Sequence, residues 1–183
     1  MDTSRVIKNL IKDKRVASIT PSSLSSVKKV CERIDFSKEN VIVEFGPGTG
    51  VFTRYILTKM NSSSKLISIE INRNFYEHLK KTITDERVIF CNMNAKNITI
   101  LLKKYNIDHV DYIISGIPFS ILSKEVKDEI VKKSYKSLKT DGKFLAYQCS
   151  NTVKKYLEKY FTTVKSAISG KNIPPLIIYE ATK

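Results

Sequence analysis

Val41-Ile-Val-Glu44-Phe45-Gly46-Pro47-Gly48-Thr49-Gly50 runs from an apolar stretch straight into three glycines. The first five residues read as a buried strand. The glycines let the chain turn sharply and let a ligand approach the main chain. Helical spacing follows over 51–60. Strand, glycine turn and helix open a parallel α/β unit, and the chain repeats the pattern. Apolar runs at 65–70, 87–91, 110–115 and 143–148 read as further strands, with helical spacing at 73–82, 98–105 and 124–138 between them. In the last helix Val126, Ile130, Val131, Tyr135 and Leu138 share a face, and Asp141-Gly142 ends the connection. This alternation predicts parallel strands, right-handed crossovers and helices on both faces. The tail breaks the rhythm. Residues 160–167 and 176–181 read as strands joined by too few residues for a crossover helix, so they are antiparallel and bring the sheet to seven strands.

Upstream, Leu24, Val27, Val30, Cys31 and Ile34 form one helical face, with Ser22 or Ser23 as its N-cap. Residues 1–36 are thus an N-terminal helical segment. Within it, Val6, Ile7, Leu10 and Ile11 lie on one side, with Arg5, Lys8, Lys12 and Arg15 on or near the other. Such a basic amphipathic helix either packs on the domain or lies on a membrane surface.

At 183 residues, 42% hydrophobic and 27% charged, the chain is long and apolar enough to form one domain over 1–183. Disordered and fibrous classes are excluded. No apolar run approaches the ~20 residues of a membrane span, and the charged N-terminus has no secretory apolar core. Cys31, Cys91 and Cys149 show no CxxC spacing, which fits reduced thiols in the cytoplasm, and no metal site is expected. Lys plus Arg number 32 against 18 Asp plus Glu, a formal charge of +14. That excess suggests nucleic acid or an anionic membrane as partner, or a compositional habit of the source genome. Only six residues are Arg, and the forked guanidinium is the usual reader of phosphates and base edges, so nucleic acid is the weaker partner.

The glycine loop lacks the GK[ST] of a phosphate-binding loop and the third glycine spacing of a dinucleotide loop. Glu44-x-Gly46-Pro47-Gly48-x-Gly50 instead resembles motif I of the class I methyltransferases that use S-adenosyl-L-methionine (AdoMet). An acid at Glu44 suits a cationic, amine-bearing ligand. Glu70 ends the second strand, where a carboxylate accepts from both ribose hydroxyls, with Ile71 beside it. The third strand leads to Asn94-Ala95. The methyltransferase pattern has an acid there for the adenine amine, and the Asn94 oxygen can accept the same bond. The resemblance implies a Rossmann-like fold, a mostly parallel seven-stranded sheet with an antiparallel C-terminal strand, and AdoMet as cofactor.

The fourth strand ends in Ser115-Gly116-Ile117-Pro118-Phe119. Base amino-methyltransferases have a polar residue, then Pro and an aromatic, at this point. Here Gly116 replaces the polar residue, and Phe119 either stacks on a base or walls an apolar channel. Together with Arg15-Val-Ala-Ser-Ile-Thr-Pro21-Ser22-Ser23 and the terminal Asn172-Ile-Pro-Pro175, these motifs look like the bacterial phospholipid N-methyltransferases, which are close relatives of the ribosomal-RNA adenine dimethyltransferases. The resemblance implies methylation of the head-group amine of phosphatidylethanolamine at the inner face of the membrane. Read from the strand ends, Tyr147 near the end of the fifth strand is the acceptor-side candidate, with Ser115 and the Gly116 carbonyl beside it; Ser115 also counts as a cofactor contact, and Ile117, Pro118, Phe119 and Tyr147 as substrate contacts. The alternatives are an RNA or protein amine methyltransferase, or a non-catalytic AdoMet-binding module.

Overall fold

The computed structural model describes residues 24–169 and 175–183. The basic helix read at 4–15, the caps Ser22 and Ser23, and most of the Asn172-Ile-Pro-Pro175 motif lie outside the described residues.

Helix α1 (Leu24–Cys31) precedes strand β1 (Val41–Phe45). Then follow α2 (Val51–Lys59), β2 (Lys65–Glu70), α3 (Arg73–Thr82), β3 (Val88–Asn92), α4 (Ile98–Lys104), β4 (Val110–Ser115), α5 (Lys124–Ser137), β5 (Leu138–Gln148), α6 (Lys154–Tyr160), β6 (Thr163–Ser169) and β7 (Leu176–Thr182). The sheet order is β3-β2-β1-β4-β5-β7-β6. Strands β1 to β5 pair in parallel, and β7 runs antiparallel to both β5 and β6. This is the Rossmann-like, mostly parallel seven-stranded sheet that the strand pattern predicts.

Strand alternation splits the apolar residues between two cores. Val43, Phe45, Ile67 and Ile69 face α4, α5 and α6, packing with Ile98, Leu101, Ile130, Val131 and Leu157. Ile42, Leu66, Ile114 and Leu145 face α1 to α3, packing with Val27, Val30, Phe52, Ile56 and Leu79. Asn72 caps α3 by accepting from the Asn74 and Phe75 N–H groups, and Ser123 caps α5 through the Val126 N–H. Arg87 donates to the Leu57 and Met60 carbonyls at the end of α2 (2.9 and 2.7 Å) while paired with Asp85.

Two boundaries differ from the sequence reading. Residues 154–160 form a helix, so the strand read from 160 begins at Thr163. Strand β5 begins at Leu138, which pairs with Val110 ahead of a register irregularity.

Gly50 shows why the glycine turn tolerates no substitute at its end. Its φ is +83°, and a Cβ there would stand 2.6 Å from Leu79 Cδ2 and 3.2 Å from Ile83 Cδ1. Gly50→Ala is expected to destabilise the fold by roughly 2–3 kcal/mol, adding left-handed strain to overpacking. Urea unfolding at constant slope checks this, and a midpoint equal to wild type refutes it.

Candidate active site

The order of the sheet reverses at β1, which lies between β2 and β4, so the crevice beyond its carboxyl end is the expected ligand site. A cavity of about 260 Å³ opens there. Gly46, Glu70, Ile71, Asn72, Met93, Asn94 and Ala95 line one part of it, and Gly116, Ile117, Pro118, Ile121, Leu122, Val126 and Ile130 another. Among the described residues no basic side chain lines it.

The glycine loop is shaped by its own hydrogen bonds. Gly46 N–H donates to the Ile69 carbonyl and Gly50 N–H to the Pro47 carbonyl, both at 2.9 Å. Gly46, Gly48 and Gly50 all have positive φ. A Cβ on Gly48 would meet nothing within 4 Å among the described residues.

Glu70, 5% exposed, reaches back to this loop. Its Oε2 accepts from Gly48 N–H at 3.1 Å and its Oε1 from Asn72 N–H at 2.8 Å. Burial pushes its carboxyl above the ordinary range, while the backbone donors pull it down. Asn92, to which the sequence assigns no role, supports it from β3: its Nδ2 donates to the Glu70 carbonyl at 2.8 Å. Asn94 Oδ1 accepts from Lys96 N–H at 3.0 Å, capping a turn at Ala95–Asn97, and its oxygen keeps a second lone pair for a ligand.

Glu44 lies beneath the loop, 1% exposed. Its Oε2 accepts from Thr53 Oγ1 at 2.6 Å and Ser68 Oγ at 3.1 Å, whereas Oε1 has no partner among the described residues. Burial pushes this carboxyl up to about 7, with the Glu70 charge adding to the rise. Glu70 in the cavity wall, the buried Glu44 with its unused oxygen behind that wall, and no basic side chain among the described lining residues fit a cationic ligand and not a phosphate. AdoMet carries a sulfonium and an ammonium, so the donor set fits it.

On the acceptor side the predicted residues separate. Gly116, Ile117 and Pro118 line the cavity. Ser115 is buried, and its Oγ lies 3.4 Å from the Ile117 N–H that donates to it. Phe119 is wholly buried in the core beside α5, and its ring does not line the cavity. Tyr147 stacks on Phe52, with ring centres 4.2 Å apart. Of the cavity-lining residues that sequence reasoning missed, Asn72 carried a local signal, since a capping residue precedes a helix. Met93, Leu122 and Val126 carried none, because only tertiary packing brings them to the cavity.

Comparisons with known proteins agree with this geometry. A family model described as ribosomal RNA adenine dimethylase matches residues 22–166. The ornithine lipid N-methyltransferase of Singulisphaera acidiphila is 23% identical over 167 residues, spanning 90% of this chain and 86% of that protein. The ribosomal RNA small subunit methyltransferase A of Malacoplasma penetrans is 30% identical over 100 residues, spanning 53% of this chain and only 33% of that protein. Among solved structures, the N-methyltransferase NodS of Bradyrhizobium japonicum, in complex with S-adenosyl-L-homocysteine, shares the fold with a TM-score of 0.73 at 10% identity, covering 100% of this chain and 99% of that one. With its family matched over most of its length, this chain belongs to the ribosomal RNA adenine dimethylase family and is an AdoMet-dependent N-methyltransferase of the class I fold.

Proposed function

We propose that this enzyme methylates the head-group amine of phosphatidylethanolamine, working on an anionic membrane surface at the inner face of the membrane. The observation that carries the reading is the loop after β4. A base amine needs a side-chain acceptor and a stacking ring, and this loop presents neither: Gly116 has no side chain and Phe119 is fully buried. The cavity wall it does present, Ile117, Pro118, Ile121 and Leu122, continued by Val126 of α5, is aliphatic and suits a lipid better than a polar polymer.

Two further observations support the same choice. The similarity to the ornithine lipid enzyme runs through most of both chains, whereas the chain spans about a third of the Malacoplasma ribosomal RNA methyltransferase. Every arginine among the described residues already has an internal partner. Arg33 pairs with Glu180, Arg54 holds Thr82, Arg73 pairs with Glu77 and Arg87 pairs with Asp85. The positive surface is therefore chiefly lysine, which suits an anionic head-group layer, where each Lys contributes about 1 kcal/mol. Among the described residues no helix is long and apolar enough to cross a membrane, and no cluster of side chains could hold a metal ion.

AdoMet supplies a methyl group activated by a sulfonium. The chain's task is to align the acceptor nitrogen with that methyl, keep water out and let the ammonium shed its proton first. An aliphatic wall favours the neutral amine, because desolvation lowers an amine's pKa.

Radiolabelled AdoMet offered in parallel to phosphatidylethanolamine vesicles, total RNA and a protein extract tests the reading. Label is expected in the lipid fraction. Label in RNA adenine with none in lipid reverses it in favour of the base-modifying members of the family.

A further inference from the structure

Gly116 and Tyr147 compete for one space. A Cβ on Gly116 would run into the Tyr147 hydroxyl, and would stand 2.9 Å from the ring carbon bearing it and 3.1 Å from the Gly46 carbonyl oxygen. The backbone at Gly116 is not in the left-handed region, so conformational strain does not explain the glycine. The neighbouring atoms do.

The position of that space matters. Gly46 follows β1 and Gly116 follows β4, and Gly116 N–H donates to the Phe45 carbonyl at 2.9 Å. The two glycines therefore face each other across the point where the strand order reverses. Tyr147 arrives from the next strand, β5, whose Ala146 is in register with Ser115. Its ring lies nearly flat on Phe52, with 14° between the planes. Phe52 is buried in the first turn of α2, directly after the glycine loop. The hydroxyl is thus held by a stacked ring and not by a flexible side chain.

Tyr147 Oη and the Gly46 carbonyl oxygen both stand on the side of Gly116 that a side chain there would enter, with Gly46 and Gly116 lining the cavity and Tyr147 next to that lining. A hydroxyl and a carbonyl oxygen together accept from one N–H-bearing nitrogen. We propose that Tyr147 holds the acceptor nitrogen in this enzyme, its hydroxyl standing where a polar side chain at 116 would otherwise stand, and that position 116 is glycine because any side chain would expel that hydroxyl. The inference rests on the methyltransferase reading and refines its acceptor. An alkyl amine projects its N–H bonds tetrahedrally, so two oxygens at one point can hold it without a flat stacking partner. Specificity for an aliphatic amine then depends on the pair 116/147 and not on either residue alone.

The test uses two cofactor analogues and the full-length protein. S-adenosyl-L-homocysteine has nothing where the transferred methyl sits. Sinefungin carries an amine there, which can donate to the two oxygens. Calorimetry gives the ratio of their dissociation constants. Tyr147→Phe deletes one oxygen and keeps the ring on Phe52. It is expected to cut the preference for sinefungin roughly tenfold while leaving S-adenosyl-L-homocysteine within about twofold of wild type. Gly116→Ser should reduce the ratio in the same way by displacing the hydroxyl. Gly116→Ser combined with Tyr147→Ala should recover part of it, because the serine hydroxyl then has room. Melting temperatures check that each variant is folded, and Tyr147→Phe alone decides the matter if Gly116→Ser is not. An unchanged ratio in folded Tyr147→Phe overturns the proposal. A ratio that collapses in Tyr147→Phe while wild type leaves phosphatidylethanolamine unlabelled supports this acceptor and overturns the lipid reading instead.

Discussion

Glu70→Ala is expected to weaken AdoMet binding by roughly a hundredfold, with the melting temperature within about 5 °C of wild type. The carboxylate acts twice. One role is the ribose acceptor that its place at the end of β2 suggests. The other is visible only in three dimensions: Oε2 holds Gly48 N–H and Oε1 holds Asn72 N–H, so one side chain ties the glycine loop to the start of α3. Hydrogen bonds to a charged group contribute about 1.5–3 kcal/mol each, and losing two from the cofactor at the low end of that range gives roughly the hundredfold. Folding suffers less, because burial already opposes the charged form of this group. Glu70→Gln should fall nearly as far, since one of its two ends becomes a donor facing a backbone N–H. Calorimetric titration with AdoMet measures both. Wild-type affinity in Glu70→Ala removes Glu70 from the site.

The fold was legible in the sequence because each parallel strand is a short apolar run with a recognisable helix behind it. Where that contrast is weak, the reading slipped. Residues 154–160 contribute only Tyr156 and Leu157 to the core, too few to display a helical period, so the helix was invisible and the next strand was read early. The cofactor half of the site was legible for a topological reason: Gly46, Glu70 and Asn94 sit at the ends of successive strands, and parallel pairing brings such ends together. The acceptor half was less legible. An aromatic at 119 is equally good as a stacking ring and as a core residue, and only its packing beside α5 decides for the core. The exclusion between Gly116 and Tyr147 has no local signature, since it arises between two neighbouring strands.

AdoMet uptake is expected to release a proton near neutral pH through Glu44. This carboxyl is buried, with its titration pushed up to about 7 by desolvation and by the charge of Glu70, against the pull of the Thr53 and Ser68 hydroxyls. The Cys31 thiol, itself pushed up to about 12, is a further titratable neighbour and is neutral at this pH. Among the described residues no cation contributes to the shift of Glu44, and its Oε1 has no partner. The apo protein below pH 7 therefore carries Glu44 protonated. A cationic ligand above it lowers its pKa and expels the proton, so affinity rises with pH between about 6 and 8. The stability of the apo protein moves the other way. The native state holds this proton from the ordinary 4.5 up to about 7, so the contribution is complete below 4.5 and is lost as pH rises through 7. Its size is roughly 3 kcal/mol. The thermal shift given by AdoMet should accordingly be larger at pH 8 than at pH 6. Glu44→Gln keeps the shape and cannot titrate. It should bind AdoMet more weakly at pH 8, show a flat pH profile and make the apo protein more stable at pH 8. Calorimetry in buffers of different ionisation enthalpy counts the released proton directly. A wild-type affinity independent of pH, or an equal slope in Glu44→Gln, would place the charge balance of the cofactor site elsewhere than on Glu44.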